Sequence, residues 1–411
     1  MQHSRCRFCS TPLRHKMIDL GKTPLANSYV RPDDMKKGET FYPLCAYVCE
    51  NCFLVQLEEF KTSEEIFSEY FYLSSFSETW LNHAKEYTDR MTERFGLNVD
   101  SQVIEIASND GYLLQFFVQK NIPVLGIEPA ANVARIARNK GIPTETLFWG
   151  VKTAHGIRSK GIQADLLIGN NVLAHVPNIN DFVGAMKLVL KPHGIVTMEF
   201  PHLMNLIEKN QFDTIYHEHF SYFSFESAER IFATHGIILF DVEELPTHGG
   251  SLRIYGKHAE DQTKDISERV FNLKRREKAG GYADLKLYQL LAEKVRAFKR
   301  DILEFLIGLK REGKSIAGYG APAKATTLLN YCGIGMDFLD YTVDRNPYKQ
   351  GCFLPGVQIP IFPPEKILET KPDYLLILPW NIKDEIIGQM SGIRTWGGQF
   401  ITLIPEIAIH P

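Results

Sequence analysis

Val103-Ile104-Glu105-Ile106-Ala107-Ser108-Asn109-Asp110-Gly111-Tyr112 is the stretch from which the fold is read. Residues 103–107 are a short buried strand, because apolar side chains dominate and no turn former interrupts them. Residues 108–111 collect the side chains that favour turns, and a helix resumes over 112–119. Residues 124–128 form the next strand, closing on Glu128, and Pro129 opens a helix to about residue 139. This order is the doubly wound α/β geometry, in which turn N–H groups approach a ligand and the strand-end acid accepts from ribose hydroxyls. Glu128 follows Gly111 by 17 residues, close to the roughly 20 of that geometry.

A dinucleotide fingerprint needs three glycines here, and only Gly111 is present. The first strand also carries its own acid, Glu105. A relaxed turn with that acid is closer to a site for S-adenosylmethionine (SAM), where no pyrophosphate is cradled. Downstream the alternation continues, with a strand at 165–169, a helix near 179–190, a turn at 191–194 and a strand at 195–200. His175 falls just beyond a strand's carboxyl end, the edge where open α/β sheets bind ligands.

The 411-residue chain has a formal net charge of −3 and 44% hydrophobic residues. That balance suits a soluble protein of two to four domains and provides no basic field for nucleic acid or membrane. No apolar run reaches the ~20 residues of a membrane span, and the N-terminus lacks a signal-peptide apolar region. The expectation is a cytoplasmic protein, monomeric or weakly homo-oligomeric.

Five of the seven cysteines lie in the first 52 residues. Cys6-x-x-Cys9 and Cys49-x-x-Cys52, 39 residues apart, form two knuckles that complete a tetrahedral thiolate shell for structural Zn²⁺, with no open position for catalysis. Cys45 is a spare thiol that fits an alternative shell.

Residues 63–95 read as mainly helical, interrupted by the hydroxyl-rich Tyr70-Phe71-Tyr72-Leu73-Ser74-Ser75. Asp213-Thr214-Ile215-Tyr216-His217-Glu218-His219-Phe220-Ser221-Tyr222-Phe223 gathers two imidazoles, two carboxylates and two phenols. Ser224 caps a helix after it, so the stretch reads as a reactive loop feeding a helix. Strands at 237–242 and 250–255 form a hairpin, and 285–309 is a long connecting helix. Gly318-Tyr319-Gly320-Ala321-Pro322-Ala323-Lys324 then fits G-x-G-x-x-A between strand and helix, with Asp344 24 residues after Gly320 at the next strand end. This second fingerprint keeps a nicotinamide cofactor in play.

Paired Cys-x-x-Cys, Glu105–Tyr112, Gly126-Ile127-Glu128-Pro129, Asn170-Asn171-Val172-Leu173-Ala174-His175-Val176, Tyr216-His217-Glu218-His219, His248-Gly249-Gly250-Ser251-Leu252-Arg253 and Gly318–Lys324 occur in that order. The whole chain thereby closely resembles the SAM-dependent C-methyltransferases that act on nucleotide-linked 4-keto-deoxysugars. The resemblance implies a zinc-binding domain over 1–62, a class I SAM-methyltransferase sheet with the catalytic loop over 63–257, a helical connector over 258–312 and a Rossmann-like nucleotide-sugar domain over 313–411. It puts Glu105, Ala107, Ser108, Asn109 and Gly111 at the amino-acid end of SAM, Glu128 and Pro129 at the ribose, and Asn170 and Asn171 opposite. It implies catalytic roles for Tyr216, Glu218, His219, His175 and Tyr70, and substrate contacts for Tyr72, Ser75, His248, Gly320, Lys324 and Asp344. The chemistry fits these residue types. A carbon beside a ketone becomes a nucleophile only after losing a proton, which calls for a base and an enolate stabiliser. His219 is the expected base and Tyr216 the stabiliser or shuttle, with His175 the rival base and Glu218 fixing a tautomer or polarising a phenol. Methylation at C3 is expected, with C5 as the alternative regiochemistry. A nicotinamide-dependent sugar oxidoreductase or epimerase is the competing class, and a zinc-knuckle nucleic-acid module is disfavoured by the acidic balance.

Overall fold

Two tight turns built alike begin the structure, a computed structural model that describes residues 4–62, 65 and 73–411. In the first turn Ser10 N–H returns to the Cys6 carbonyl, and in the second Phe53 N–H returns to the Cys49 carbonyl, at 2.9 Å each. Ser10 and Phe53 both take left-handed backbone (φ 61° and 57°), which closes each knuckle. Between and after the knuckles run β1 (His15–Thr23), β2 (Tyr42–Val48) and β3 (Val55–Leu57), paired antiparallel.

The central sheet contains β4 (Val103–Ile106), β5 (Val124–Ile127), β6 (Thr144–Glu145), β7 (Ala164–Asn170) and β8 (Leu190–Pro201), all parallel. Next in the chain, β9 (Ser221–Tyr222) leaves this sheet and pairs with β3. The hairpin β10 (Ile237–Leu245) and β11 (Ser251–His258) completes the central sheet, with β11 antiparallel to β8. The order β10-β11-β8-β7-β4-β5-β6 is that of a class I methyltransferase. Helices on both faces leave β4 wholly buried and Leu166, Leu167 and Ile168 at 0% exposure, which is why these strands are continuous apolar runs. Truncating Leu167 to alanine would cost about 2–5 kcal/mol by opening a cavity between sheet and helix. The turn expected at 191–194 is instead a bulge within β8. Ala164 pairs with Leu190 but Leu166 already with Ile195, so the strand resumes without reversing.

Strand order reverses where β4 neighbours both β5 and β7, which makes the carboxyl ends of β4 and β7 the binding crevice. Two helices, Glu268–Ala279 and Leu285–Arg311, lead to the last sheet. It comprises β12 (Ile316–Tyr319), β13 (Thr342–Val343), β14 (Ile361–Phe362), β15 (Tyr374–Ile377), β16 (Gln399–Thr402) and β17 (Ala408–His410), in order β14-β13-β12-β15-β16-β17 with only β17 antiparallel. Its first helix, Ala323–Cys332, locks onto the rest of the chain. Thr326 Oγ1 donates to the Ala26 carbonyl (3.0 Å), Thr327 Oγ1 to the Ile215 carbonyl (2.8 Å), and Tyr29 Oη to the Ala321 carbonyl (2.6 Å). No described helix is long and apolar enough to cross a membrane.

Candidate active site

At the end of β4, Ala107 (φ 54°), Asn109 (φ 50°) and Gly111 (φ 77°) are all left-handed, a curl that turns successive N–H groups inward. Glycine suits the left-handed backbone at 111, and a Cβ there would stand 2.2 Å from Ile142 Cδ1, which would have to turn aside. The Glu128 carboxylate accepts from Asn109 N–H (3.0 Å) and from Ala130 N–H (2.8 Å), across Pro129. Burial pushes Glu128 up to about 7 against those two bonds. Burial, then the charges of Glu128 and Asp110, push Glu105 well above the usual carboxylate range. Glu105 Oε2, Ser108 Oγ, Asp110 Oδ1, Asn170 Oδ1 and Asn171 Oδ1 are buried without a hydrogen-bond partner among the described residues. Buried polar atoms are almost always paired, so five such acceptors at one crevice fit a polar, donor-bearing ligand there. Ser75, expected on the substrate, donates to the Asp110 carboxylate, and Ser74 N–H donates to Asn109 Oδ1 (3.0 Å), so this segment seats on the same turn. Tyr70 and Tyr72 lie outside the described residues.

The stretch expected as a reactive loop is interior, with Asp213, His217, Glu218 and His219 at 0, 5, 3 and 8% exposure. The pairing of β9 with β3 and a one-turn helix, Phe212–Thr214, hold its two ends. His219 Nδ1 lies 3.0 Å from the Thr214 carbonyl, which only accepts, so Nδ1 carries the proton and Nε2 the lone pair. Tyr216 Oη donates to that Nε2 at 2.7 Å, with the rings 4.0 Å apart. His175 repeats the arrangement, its Nδ1–H on the Glu218 carbonyl (2.7 Å) and its ring 4.7 Å from that of His219. Burial pushes His175 down to about 4, and burial followed by the neighbouring His175 pushes His219 well below its ordinary value. Both imidazoles are therefore neutral acceptors at physiological pH.

Glu218 was expected to fix an imidazole tautomer or polarise a phenol. Its carboxylate accepts from the backbone and side chain of Asn27 (3.2 and 3.3 Å), while backbone carbonyls fix both imidazole tautomers. His217 turns the other way, with Nε2 on the Pro43 carbonyl (3.1 Å) and its ring edge against Tyr42 and Phe60.

From the C-terminal sheet, Gly320 (φ 89°) packs so closely on Pro379 that a Cβ would meet its Cδ at 2.5 Å. Asp344 accepts from Ala321 N–H and Asn346 N–H, both at 2.8 Å. Lys324 Nζ donates to Asn381 Oδ1 (2.7 Å), lies 4.3 Å from the Trp380 ring centre, and is pushed down to about 8 by burial against the pull of Asp213. Its charge also contributes to lowering His219 and His248, so this helix start shares the interior with the Tyr216–His219 stretch. His248 (φ 53°) meets the Asn171 side chain at 3.0 Å and the edge of Trp80 at 5.1 Å, which joins a residue expected on the cofactor to one expected on the substrate.

Sequence reading missed a buried network beside this point. Glu199 on β8 faces Arg253 on β11, both at 0% exposure and 2.8 Å apart. His83 (2.9 Å) and Thr247 Oγ1 (2.7 Å) complete it. Burial alone would raise Glu199, but the bond from His83 and the Arg253 charge hold it at about 2. The signal was an acid and an arginine inside apolar strands, a placement that requires pairing.

Cys6, Cys9, Cys49 and Cys52 present sulfurs within 4.8 Å of one another, with individual separations of 3.5 and 3.6 Å. A tetrahedral Zn–S shell of about 2.3 Å sets neighbouring sulfurs about 3.8 Å apart, so the four fit Zn²⁺. Cys45 does not join them. It pairs opposite Asp19 on β2, and burial pushes its thiol up to about 11.

Residues 6–67 match the family of zinc binding domains, 80–240 a methyltransferase domain and 246–405 the C-methyltransferase C-terminal domain. The chain is 34% identical over 401 residues to the C-methyltransferase NovU of Streptomyces niveus, covering 98% of this chain and 95% of that one. Among solved structures, magnesium protoporphyrin IX methyltransferase from Synechocystis PCC 6803, with bound SAH, is 12% identical over 43% of this chain and 82% of that one, TM-score 0.35. The YcgJ protein of Bacillus subtilis is 11% identical over 44% of this chain and 100% of that one, TM-score 0.34.

Proposed function

The chain belongs to the C-methyltransferase family, and on that premise we propose that it methylates C3, beside the ketone, of a nucleotide-linked 4-keto-deoxyhexose at the expense of SAM. The observation that carries this reading is the Tyr216–His219 hydrogen bond of 2.7 Å, with His219 Nδ1–H pinned on Thr214. Ala107, Ser108, Asn109 and Gly111, with Glu105, Glu128, Asn170 and Asn171, would hold SAM, which when bound supplies a methyl group on a sulfonium. His219 is the base and acts through the phenol. As the Tyr216 oxygen takes the C–H proton, its own proton moves to His219 Nε2, and the forming imidazolium is stabilised through Nδ1–H on the Thr214 carbonyl. Such a positioned acid–base pair contributes roughly 10²–10⁴-fold. His175 offers a second neutral imidazole, its Nδ1–H on the Glu218 carbonyl at 2.7 Å. Lys324 at the C-terminal helix start would face the nucleotide phosphates, so the sugar would project toward Tyr216 between the two sheets. The zinc site is structural and joins the knuckles that position β3, on which β9 pairs.

The test is transfer of a ¹³C-labelled SAM methyl group to thymidine- or guanosine-linked 4-keto-6-deoxyhexose, with the product read by NMR. The label is expected as a new C–CH₃ at C3. Label on oxygen or at C5, or no transfer to either nucleotide, would contradict the proposal.

A further inference from the structure

Trp380 is buried at 6% exposure just beyond β15, at the edge of the C-terminal sheet where that domain would meet its ligand. Three contacts make it more than filler. Its indole Nε1–H donates to Asp213 Oδ2 at 2.7 Å, and Asp213 is 0% exposed and directly precedes the residue whose carbonyl holds His219 Nδ1–H. Its ring face receives the Lys324 ammonium at 4.3 Å. Its six-membered ring presses on Gly249, where a Cβ would come within 2.4 Å of Cη2, and Gly249 adjoins His248. One side chain thus touches the C-terminal cation, the base of the catalytic stretch and the His248 turn, which belong to separate parts of the chain.

We propose that Trp380 is a positioning residue that couples the C-terminal ligand site to His219. Through Asp213 it sets the Phe212–Thr214 turn, and that turn aims the Thr214 carbonyl at His219 Nδ1 so that Nε2 faces Tyr216. Lys324, stacked on the other side of the ring, ties the same indole to whatever anion the C-terminal helix start receives. Burial accounts for the strength of the link. Asp213 Oδ1 has no partner among the described residues, so the indole N–H is the side-chain donor that the carboxylate relies on. Without it the carboxylate is left to the backbone N–H groups of Asp213 and Thr214, which draws it onto the turn itself and shifts that turn. Burial raises Asp213 to about 6, and the Lys324 charge, followed by the Trp380 bond, opposes that rise, so the cation and the indole act on the same carboxylate.

The role rests on His219 being the base, so the first readout is independent of turnover. Long-range ¹H–¹⁵N spectra of the full chain, without sugar nucleotide or SAM, report the His219 tautomer directly, the signal being identified by its loss in His219→Asn. Wild-type chain is expected to show Nδ1–H at His219. Trp380→Phe keeps an aromatic face for Lys324 and removes the N–H, and should mix in the Nε2–H tautomer. Asp213→Asn keeps an acceptor for the indole and should retain the wild-type signal. Asp213→Ala gives the same test as Trp380→Phe should that variant not fold. With nucleotide-linked 4-keto-6-deoxyhexose and SAM, Trp380→Phe should lower kcat about 10–100-fold with KM changed less than about 2-fold. An unchanged His219 tautomer in both Trp380→Phe and Asp213→Ala would overturn the coupling. Altered tautomers in a chain whose wild type transfers no methyl group would uphold the coupling and overturn the substrate reading instead.

Discussion

The two strand–turn–helix units of this chain look alike in backbone and differ in charge. In each, the acid at the end of the second strand accepts once from the unit's own turn and once from the N–H two residues beyond itself, Glu128 from Asn109 and Ala130, Asp344 from Ala321 and Asn346. Around the first turn Glu105 Oε2, Ser108 Oγ and Asp110 Oδ1 are buried without partners among the described residues, and the Lys140 ammonium is already paired with the other Asp110 oxygen at 2.9 Å. Around the second stand the ammonium groups of Lys324 and Lys349, the latter 2.9 Å from the Ala321 carbonyl and 3.7 Å from Asp344. Acceptors suit a cationic ligand and ammonium groups an anionic one. The glycine pattern ranks the second unit as the better dinucleotide site, but the side chains at the turns give the two units opposite preferences.

Exchanging the charges one at a time breaks the comparison most directly. Lys324→Met should weaken binding of the sugar nucleotide by about 10–100-fold, the loss of a charge-assisted bond to phosphate, and leave SAM affinity within about 2-fold. Glu128→Gln should do the reverse, at about 10-fold. Calorimetry on both variants with both ligands decides it, and equal losses in all four titrations would erase the distinction between the turns.

The ligand-free protein should also show opposite pH signatures for the two units. Glu128 is raised from 4.5 to about 7, so the stability it allows is present below pH 4.5 and is lost as pH rises to about 7, on the order of 3 kcal/mol. Lys324 is lowered from 10.5 to about 8, so its cost is full below pH 8 and is relieved as pH rises toward 10.5, by a similar amount. Urea unfolding across pH should lose the first slope in Glu128→Gln and the second in Lys324→Met. Smaller still is the backbone effect. Gly111→Ala and Gly320→Ala each force a side chain at positive φ onto a neighbour, and each should cost about 1–3 kcal/mol by thermal unfolding. A marked inequality would sharpen the contrast, because Ile142 can rotate away where the Pro379 ring cannot.

Much of this was legible in the sequence, for reasons that can be named. Fully buried parallel strands are continuous apolar runs, so 103–107 and 124–128 announced the central sheet. Paired Cys-x-x-Cys announced four convergent sulfurs, because each knuckle is a local structure. What stayed hidden depends on contacts between distant segments. Nothing near Ser221–Tyr222 says that these two residues pair with Val55–Leu57, and that pairing holds one end of the buried stretch. Glu218 was expected to fix an imidazole tautomer or polarise a phenol, and nothing in its own neighbourhood says that its carboxylate meets Asn27, 191 positions earlier. Trp380 is ordinary in its own neighbourhood, and acquires a role only because Asp213, 167 positions earlier, lies under its N–H.

The central claim is that Tyr216 and His219, held between the two sheets, remove a proton beside the ketone. Deuterium wash-in tests it without requiring methyl transfer. The protein would be incubated in D₂O with nucleotide-linked 4-keto-6-deoxyhexose, with and without SAM, and the ring protons followed by NMR. Exchange at C3 alone is expected, reduced by about 10²–10⁴-fold in His219→Ala and close to wild type in Glu218→Gln. Full exchange in His219→Ala with loss in His175→Ala, or no exchange in the wild type, would contradict it.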